Sequence, residues 1–100
     1  METKTITVTN KDLVKAKEEC QANETPYSKH CIVAVAVREH FDVSLFRVGV
    51  TELYLGDCQE SLETWHLDSV GKKLVLEFDN YWRDRNYTLE KDITFQINKG

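Results

Sequence analysis

Proline and glycine are scarce in this chain, and so are long apolar runs. One proline and four glycines among 100 residues leave little room for linkers, which predicts a single domain over residues 1–100. The longest apolar run, Cys31–Val37, is far shorter than the roughly 20 residues that span a bilayer. The N-terminus METKTITVTN lacks the apolar core of a secretion signal. We therefore expect a cytoplasmic protein that contacts no membrane.

Cysteine is also sparse, and its count is odd. In a reducing cytosol Cys20, Cys31 and Cys58 are expected to be free thiols, although two helices could bring Cys20 and Cys31 close enough for a bridge. A zinc site needs ligands in close pairs. His30 and Cys31 are neighbours, and neighbouring residues on a helix point about 100° apart, so they suit one metal ion poorly. We predict no metal site and no cofactor.

Basic charge is missing from the centre of the chain. The formal net charge is −4, and there is no lysine or arginine between Thr51 and Leu67. Broad electrostatic binding of nucleic acid is therefore not expected. The acids of this segment could dock on a basic groove of a host protein, or they could keep a solvated sheet edge soluble. These acids are Glu52, Asp57, Glu60 and Glu63.

Alternating and helical apolar patterns predict the order β-α-α-β-β-β-α-β along the chain. This order indicates an α+β domain with three helices and a mainly antiparallel sheet of four to five strands. Segments 44–50 and 52–55 are too close for a standard two-residue hairpin and could form one strand bent at Gly49. The predicted strands cover 4–9, 44–50, 52–55, 61–67 and 92–98, and the predicted helices cover 11–22, 28–40 and 70–86.

The apolar run CIVAVAV could be a strand buried on both faces or a helix buried nearly all round. Ser28 is a good N-cap directly before the run, and Ala34 and Ala36 form helices better than strands. Arg38 and His40 suit a helix C-terminus, where backbone carbonyls are unpaired. These signals favour a helix.

The last predicted helix also has an alternative. Residues 73–78 alternate like a strand, but a longer stripe with helical spacing carries more weight. Asp68 or Ser69 can cap this helix, as Asn10 can cap the first one. The stripe consists of Val70, Leu74, Phe78, Tyr81, Trp82 and Arg85.

The motif HCIVAVAVREHF resembles a helix motif of the form His-Cys-Pro-hydrophobic-Ala-x-Ala in small, mostly uncharacterised proteins of bacteriophages and prophages. Ile32 stands where that family usually has proline, and the spacing near residues 86–91 differs. The resemblance implies a viral or prophage origin and supports a helix here, but it implies no known active site. The matching parts are His30, Cys31, Ala34 and Ala36, the helix over 70–86 and the strand containing Ile93–Ile97.

The stretch NYWRDRNY is the best candidate for a binding surface. Aromatic rings stack on bases and guanidinium groups fork onto phosphates, so the stretch could hold a nucleotide-like ligand. Such residues also anchor protein interfaces. A structural interpretation is simpler: Tyr81 and Trp82 complete the core, while both arginines pair with Asp79 and Asp84 in water. The candidate set is Tyr81, Trp82, Arg83, Arg85 and Tyr87.

Catalytic motifs are absent from the sequence. There is no phosphate-cradling glycine loop and no triad elbow, and no flanking motif supports Cys31 as a nucleophile with His40 or His66 as its base. We therefore predict a non-enzymatic accessory protein of phage type that neutralises a host defence factor by binding. Its partner would be a host protein, or a small nucleotide-like signal held by a homo-oligomer. The alternatives are a structural or regulatory module of a virion or mobile element, and a small Cys/His enzyme.

Overall fold

A computed structural model describes residues 2–23, 30–41, 45–56, 58, 60 and 62–99, with the backbone alone for Leu45 and Phe46. The order of its elements confirms the predicted α+β fold with the order β-α-α-β-β-β-α-β. The elements are β1 (Glu2–Val8), α1 (Asn10–Asn23), α2 (Ile32–His40), β2 (Leu45–Val48), β3 (Glu52–Gly56), β4 (Glu63–Leu67), α3 (Ser69–Tyr81) and β5 (Ile93–Lys99).

The five strands form one antiparallel sheet in the order β1-β5-β4-β3-β2. Successive side chains of a strand point to opposite faces, and here one face is apolar and the other polar. On β5, for example, Phe95 and Ile97 are buried whereas Thr94 and Gln96 are exposed. Helices α2 and α3 pack on the apolar face, and α1 packs against α2. The domain therefore has a helical layer on one side of the sheet.

Helix α2 confirms the helical interpretation of the apolar run. All seven residues of Cys31–Val37 are buried, because α2 packs against α1, α3, β1 and β2. The helix begins later than predicted. Its N-cap is Cys31, whose sulfur accepts a hydrogen bond from the Ala34 backbone N–H at 3.4 Å, and Ser28 lies outside the described residues. A thiol is a weak acceptor, which is why the sequence favoured the serine.

Helix α3 covers residues 73–78, so the alternative of a strand there is wrong. Asp68 is its N-cap and accepts from the Gly71 N–H at 2.8 Å, as predicted. The buried residues are Gly71, Leu74, Val75 and Phe78, spaced i, i+3, i+4 and i+7.

The predicted stripe on α3 is wrong at both ends. Val70 is 43% exposed and Tyr81 is 53% exposed, because the buried face is rotated toward Gly71 and Val75. Gly71 lies in the core face since α3 approaches the sheet closely there. A Cβ atom on Gly71 would lie 3.1 Å from side-chain atoms of Leu67 and Phe95. The helix ends at Tyr81, five residues before the predicted end at 86.

Helix α1 is capped by Thr9 and not by Asn10. The Asp12 carboxylate accepts from the Thr9 backbone N–H at 2.9 Å, and the Thr9 hydroxyl lies 3.5 Å from the Asp12 N–H, which is the reciprocal pattern of a capping box. Asp12 is 2% exposed. Because Thr9 is the cap, the Asn10 side chain is available for hydrogen bonds to a distant part of the chain, at Leu89.

Strands β2 and β3 form a hairpin, so one long strand bent at Gly49 is ruled out. Val48 lies opposite Leu53, and residues 49–51 make the connection. The Gly49 N–H donates to the Glu52 carbonyl at 2.7 Å and closes the connection between the two strands.

Across the described ranges, no helix combines the length and the apolar character needed to cross a membrane.

Candidate functional site

The candidate residues lie at the end of α3 and in the segment that connects it to β5, here called the 82–92 loop. Asn10 fastens this loop to the start of α1. Its side-chain N–H donates to the Leu89 carbonyl at 2.8 Å, and its side-chain oxygen accepts from the Leu89 N–H at 2.8 Å. Leu89 is buried in the hydrophobic core. The pair of hydrogen bonds therefore anchors the middle of the loop.

Lys17 makes the second fastening, two helical turns after Asn10 on the same side of α1. Its ammonium group donates to the carbonyls of Asp84 at 3.0 Å and Tyr87 at 2.6 Å. The same group lies 5.3 Å from the centroid of the Tyr87 ring. One face of α1 thus holds the loop through backbone carbonyls and an aromatic ring.

The loop begins with two consecutive turns that end α3. The Asp84 N–H donates to the Tyr81 carbonyl at 2.9 Å, and the Tyr87 N–H donates to the Asp84 carbonyl at 3.1 Å. The Asp84 carboxylate accepts from the Asn86 N–H at 2.9 Å, which is an Asx turn. Aspartate competes with helical hydrogen bonds in this way, so the predicted continuation of the helix to residue 86 fails here.

Arg83 and Arg85 lie in the turns and are exposed. The Arg83 guanidinium stacks at 4.8 Å from the centroid of the Trp82 ring, and Trp82 packs partly against the core. Among the described residues no carboxylate lies within 4.0 Å of either guanidinium. The predicted ion pairs of Arg83 and Arg85 with Asp79 and Asp84 are therefore wrong.

Three of the candidate residues border one cleft of about 360 Å³, here called the arginine cleft. It combines three cations with one carboxylate and an indole ring. Its lining is Lys17, Gln21, Trp82, Arg83, Asp84 and Arg85. An open cleft with this lining can accept an anionic group on the guanidinium forks and a flat group beside the aromatic ring.

A second cleft of about 490 Å³, here called the α1 groove, runs between α1 and the loop. It shares Lys17, Gln21 and Arg85 with the arginine cleft, so the two are adjacent. Val14 and Leu89 line the α1 groove, and Val14 is 55% exposed.

Tyr81 is separated from the arginines. Its ring lies 6.1 Å from that of Tyr87, and the two tyrosines line a third cleft together with Glu77. The Tyr87 hydroxyl is shielded from solvent and has no well-formed hydrogen bond to a described residue. Burial and the nearby Glu77 charge raise the pKa of Tyr87. The five candidate residues are thus divided, with Trp82, Arg83 and Arg85 at the arginine cleft.

Two of the central acidic residues, Glu52 and Glu63, do not share one surface. Glu52 lies opposite His66 and Glu63 lies opposite Leu55 across the β3–β4 pair, so the two carboxylates point to opposite faces of the sheet. Glu52 accepts from the Tyr54 hydroxyl at 2.9 Å, and this hydrogen bond raises the pKa of Tyr54. Glu63 pairs with Lys99 at 3.0 Å. Glu60 is exposed, and Asp57 lies outside the described residues.

Two of the three cysteines are buried, and burial keeps their thiols in the neutral, unreactive form. Cys20 and Cys31 are buried and free, whereas Cys58 is exposed. Burial raises the pKa of Cys20 to about 12 and that of Cys31 to about 11. Both groups are therefore neutral thiols near pH 7, and a neutral thiol is a poor nucleophile. In the part of the chain that the structure describes, no three His, Cys, Asp or Glu side chains are grouped to hold a metal ion.

A partly buried cluster joins α1 to the start of α2. The Glu19 carboxylate lies 3.0 Å from His30 Nδ1 and also accepts from the Arg38 guanidinium. Burial raises the pKa of Glu19, but the hydrogen bonds from Arg38 and His30 outweigh burial and lower it overall. His30 is therefore held in place by the Glu19 carboxylate.

Several residues of the site could not be found from the sequence. Asn10, Val14, Lys17 and Gln21 lie on α1 at a spacing that places them near one side of the helix. That spacing shows that they can act together, but it does not show that the 82–92 loop packs there. Asn10 is also a favoured residue for a helix cap, so its contact with the distant Leu89 could not be predicted from the sequence.

Searches against protein-family models, curated proteins and solved structures found no match for this chain. The resemblance to phage proteins stays a prediction.

Proposed function

We propose that this chain is a non-catalytic, phage-type accessory protein that neutralises a host defence signal by binding it. The ligand is a small nucleotide-like molecule, and its phosphate group lies in the arginine cleft. The observation that carries the proposal is the pair of arginines, Arg83 and Arg85, which border a cleft beside an indole ring and have no described carboxylate partner.

Charge supports a phosphate ligand. The whole chain carries a formal charge of −4, yet the lining of the arginine cleft has three cations and one carboxylate. Guanidinium groups bind phosphate through two parallel hydrogen bonds, which gives both strength and orientation. Lys17 already donates to two carbonyls, so the arginines are the groups free to meet the ligand.

Size supports a small ligand. The arginine cleft and the adjacent α1 groove have volumes of about 360 and 490 Å³, which lie in the range of small-molecule sites of roughly 300–1,000 Å³. A homo-oligomer that closes these open clefts is part of the proposal. The neutral, buried thiols give no support to the alternative of a Cys/His enzyme.

A host protein is the second candidate partner. Docking through the acidic residues is the less supported route, because Glu52 and Glu63 point to opposite faces of the sheet. Docking through Trp82 and Arg83 uses residue types that dominate protein interfaces, and it competes directly with the nucleotide proposal. A structural module of a virion or mobile element would need no ligand in either cleft.

Calorimetric titration with inorganic pyrophosphate and with ADP tests the proposal. We expect both to bind the native protein, and we expect the double variant Arg83→Ala/Arg85→Ala to lose at least about tenfold in affinity, since each bidentate arginine contact contributes on the order of 1–3 kcal/mol. The charge-matched control is Arg47→Ala/Lys72→Ala, two exposed cations outside the cleft lining. The proposal is wrong if neither probe binds, or if both variants bind equally well.

A further inference from the structure

Val14 is an exposed apolar residue at the edge of a candidate ligand-binding groove. It lies on α1, is 55% exposed, and lines the α1 groove with Leu89 and Tyr87. The groove adjoins the arginine cleft at Arg85, which lines both. A ligand whose phosphate lies on Arg85 is therefore placed so that its other end can lie in the groove beside Val14.

Two of the polar side chains that line the groove already have hydrogen-bond partners. The Asn10 amide is paired with both backbone groups of Leu89, and the Lys17 ammonium donates to two carbonyls. The lining of the groove is also more apolar than that of the arginine cleft, so the groove favours apolar contact. Glu18 adds a carboxylate to its lining. The groove thus has one cation fewer than the arginine cleft and the same single carboxylate, so it attracts a second phosphate less strongly and suits an uncharged ring.

We infer that the α1 groove holds the uncharged heterocyclic base of the same nucleotide whose phosphate lies in the arginine cleft, and that Val14 provides the apolar contact with that base. The inference rests on the proposed function and adds to it a two-part ligand with a fixed direction. The phosphate end meets Arg83 and Arg85, and the base lies against Val14 next to Leu89.

The contribution of the base can be measured apart from that of the phosphate. Pyrophosphate supplies the anionic part without a ring, whereas ADP, GDP and UDP add sugar and base. We expect at least one of the three nucleotides to bind about tenfold tighter than pyrophosphate, because burying a few apolar groups is worth roughly that factor.

The variant Val14→Ser tests the residue itself. It removes apolar surface without adding charge, and an exposed helix position tolerates it. We expect this change to weaken the tightest nucleotide about fivefold and to leave pyrophosphate affinity unchanged. The matched control is Val70→Ser, a valine on α3 that is 43% exposed and lies outside the linings of both clefts.

The outcomes separate this inference from the proposed function. If pyrophosphate binds through the two arginines but no nucleotide binds more tightly, or if Val14→Ser matches Val70→Ser, the inference is overturned and the phosphate site stands. If neither pyrophosphate nor any nucleotide binds, the proposed function fails, and the inference fails with it.

Discussion

At the scale of single residues, Lys17 fixes the position of the loop that carries the candidate site. Its ammonium group donates to the Asp84 and Tyr87 carbonyls and lies over the Tyr87 ring, so one side chain orders the loop that carries both arginines. It does this through backbone carbonyls, which any loop sequence would supply. The side chains of Arg83 and Arg85 take no part in these contacts and are therefore free to serve binding.

Replacing Lys17 with methionine tests this ordering role. Methionine keeps an apolar stem but cannot donate to the two carbonyls, so we expect a loss of about 1–2 kcal/mol in the free energy of unfolding. We also expect faster hydrogen exchange at amides 84–89. The control is Lys15→Met, at an exposed position of α1 that contacts neither carbonyl. Equal exchange in the two variants would show that Lys17 does not order the loop.

Glu19 gives a second prediction at this scale. Its pKa is lowered below the ordinary value of 4.5, because hydrogen bonds from Arg38 and His30 outweigh burial. A lowered pKa contributes stability that is present above that ordinary value and is lost as the pH falls through the folded-state pKa. We expect the native protein to be more stable than Glu19→Gln at pH 7, and the difference to shrink by pH 3. Urea unfolding at both pH values measures it, and a difference that is constant or grows on acidification would contradict the cause given.

At the scale of elements, the ends of the helices account for most of the differences between expectation and structure. Asp68 was identifiable as a cap because its oxygen and the apolar spacing after it are local signals. The cap of α2 is a cysteine, a weak acceptor, and it was missed. The rotation of α3 that exposes Val70 and Tyr81 follows from the close approach of Gly71 to Leu67, a contact between elements that no local pattern contains.

Asp68 links two elements, and its replacement should therefore cost more than an ordinary cap. One carboxylate oxygen accepts from the Gly71 N–H at 2.8 Å and the other from the Gln96 N–H at 2.9 Å on β5. We expect Asp68→Ala to lower the free energy of unfolding by about 2 kcal/mol, at the upper end for a cap. Asp68→Asn, which keeps one acceptor, should recover part of this loss in urea titrations. If the asparagine variant is no more stable than the alanine variant, the shared carboxylate is not the cause.

At the scale of the whole molecule, the helical layer and the loop concentrate cations on a chain that is acidic overall. The sheet order brings β1 and β5 together, and Asn10, two residues after β1, reaches Leu89, four residues before β5. The site thus depends on the pairing of the first and last strands. Arg83 and Arg85 were identifiable from the sequence, whereas Val14, Lys17 and Gln21 were not, because only the fold places α1 beside the loop.

The most direct test of a phosphate site in the arginine cleft is the response of the Arg83 and Arg85 side chains to pyrophosphate. In a nitrogen–proton correlation spectrum, we expect the side-chain Nε–Hε signals of Arg83 and Arg85 to shift and saturate as pyrophosphate is added, because their guanidinium groups have no described carboxylate partner to displace. The signal of Arg47, which is on β2 and lies over the ring of Tyr54 on β3, should stay in place. Unchanged Arg83 and Arg85 signals at millimolar pyrophosphate, or equal shifts at all three arginines, would contradict a phosphate site in the arginine cleft.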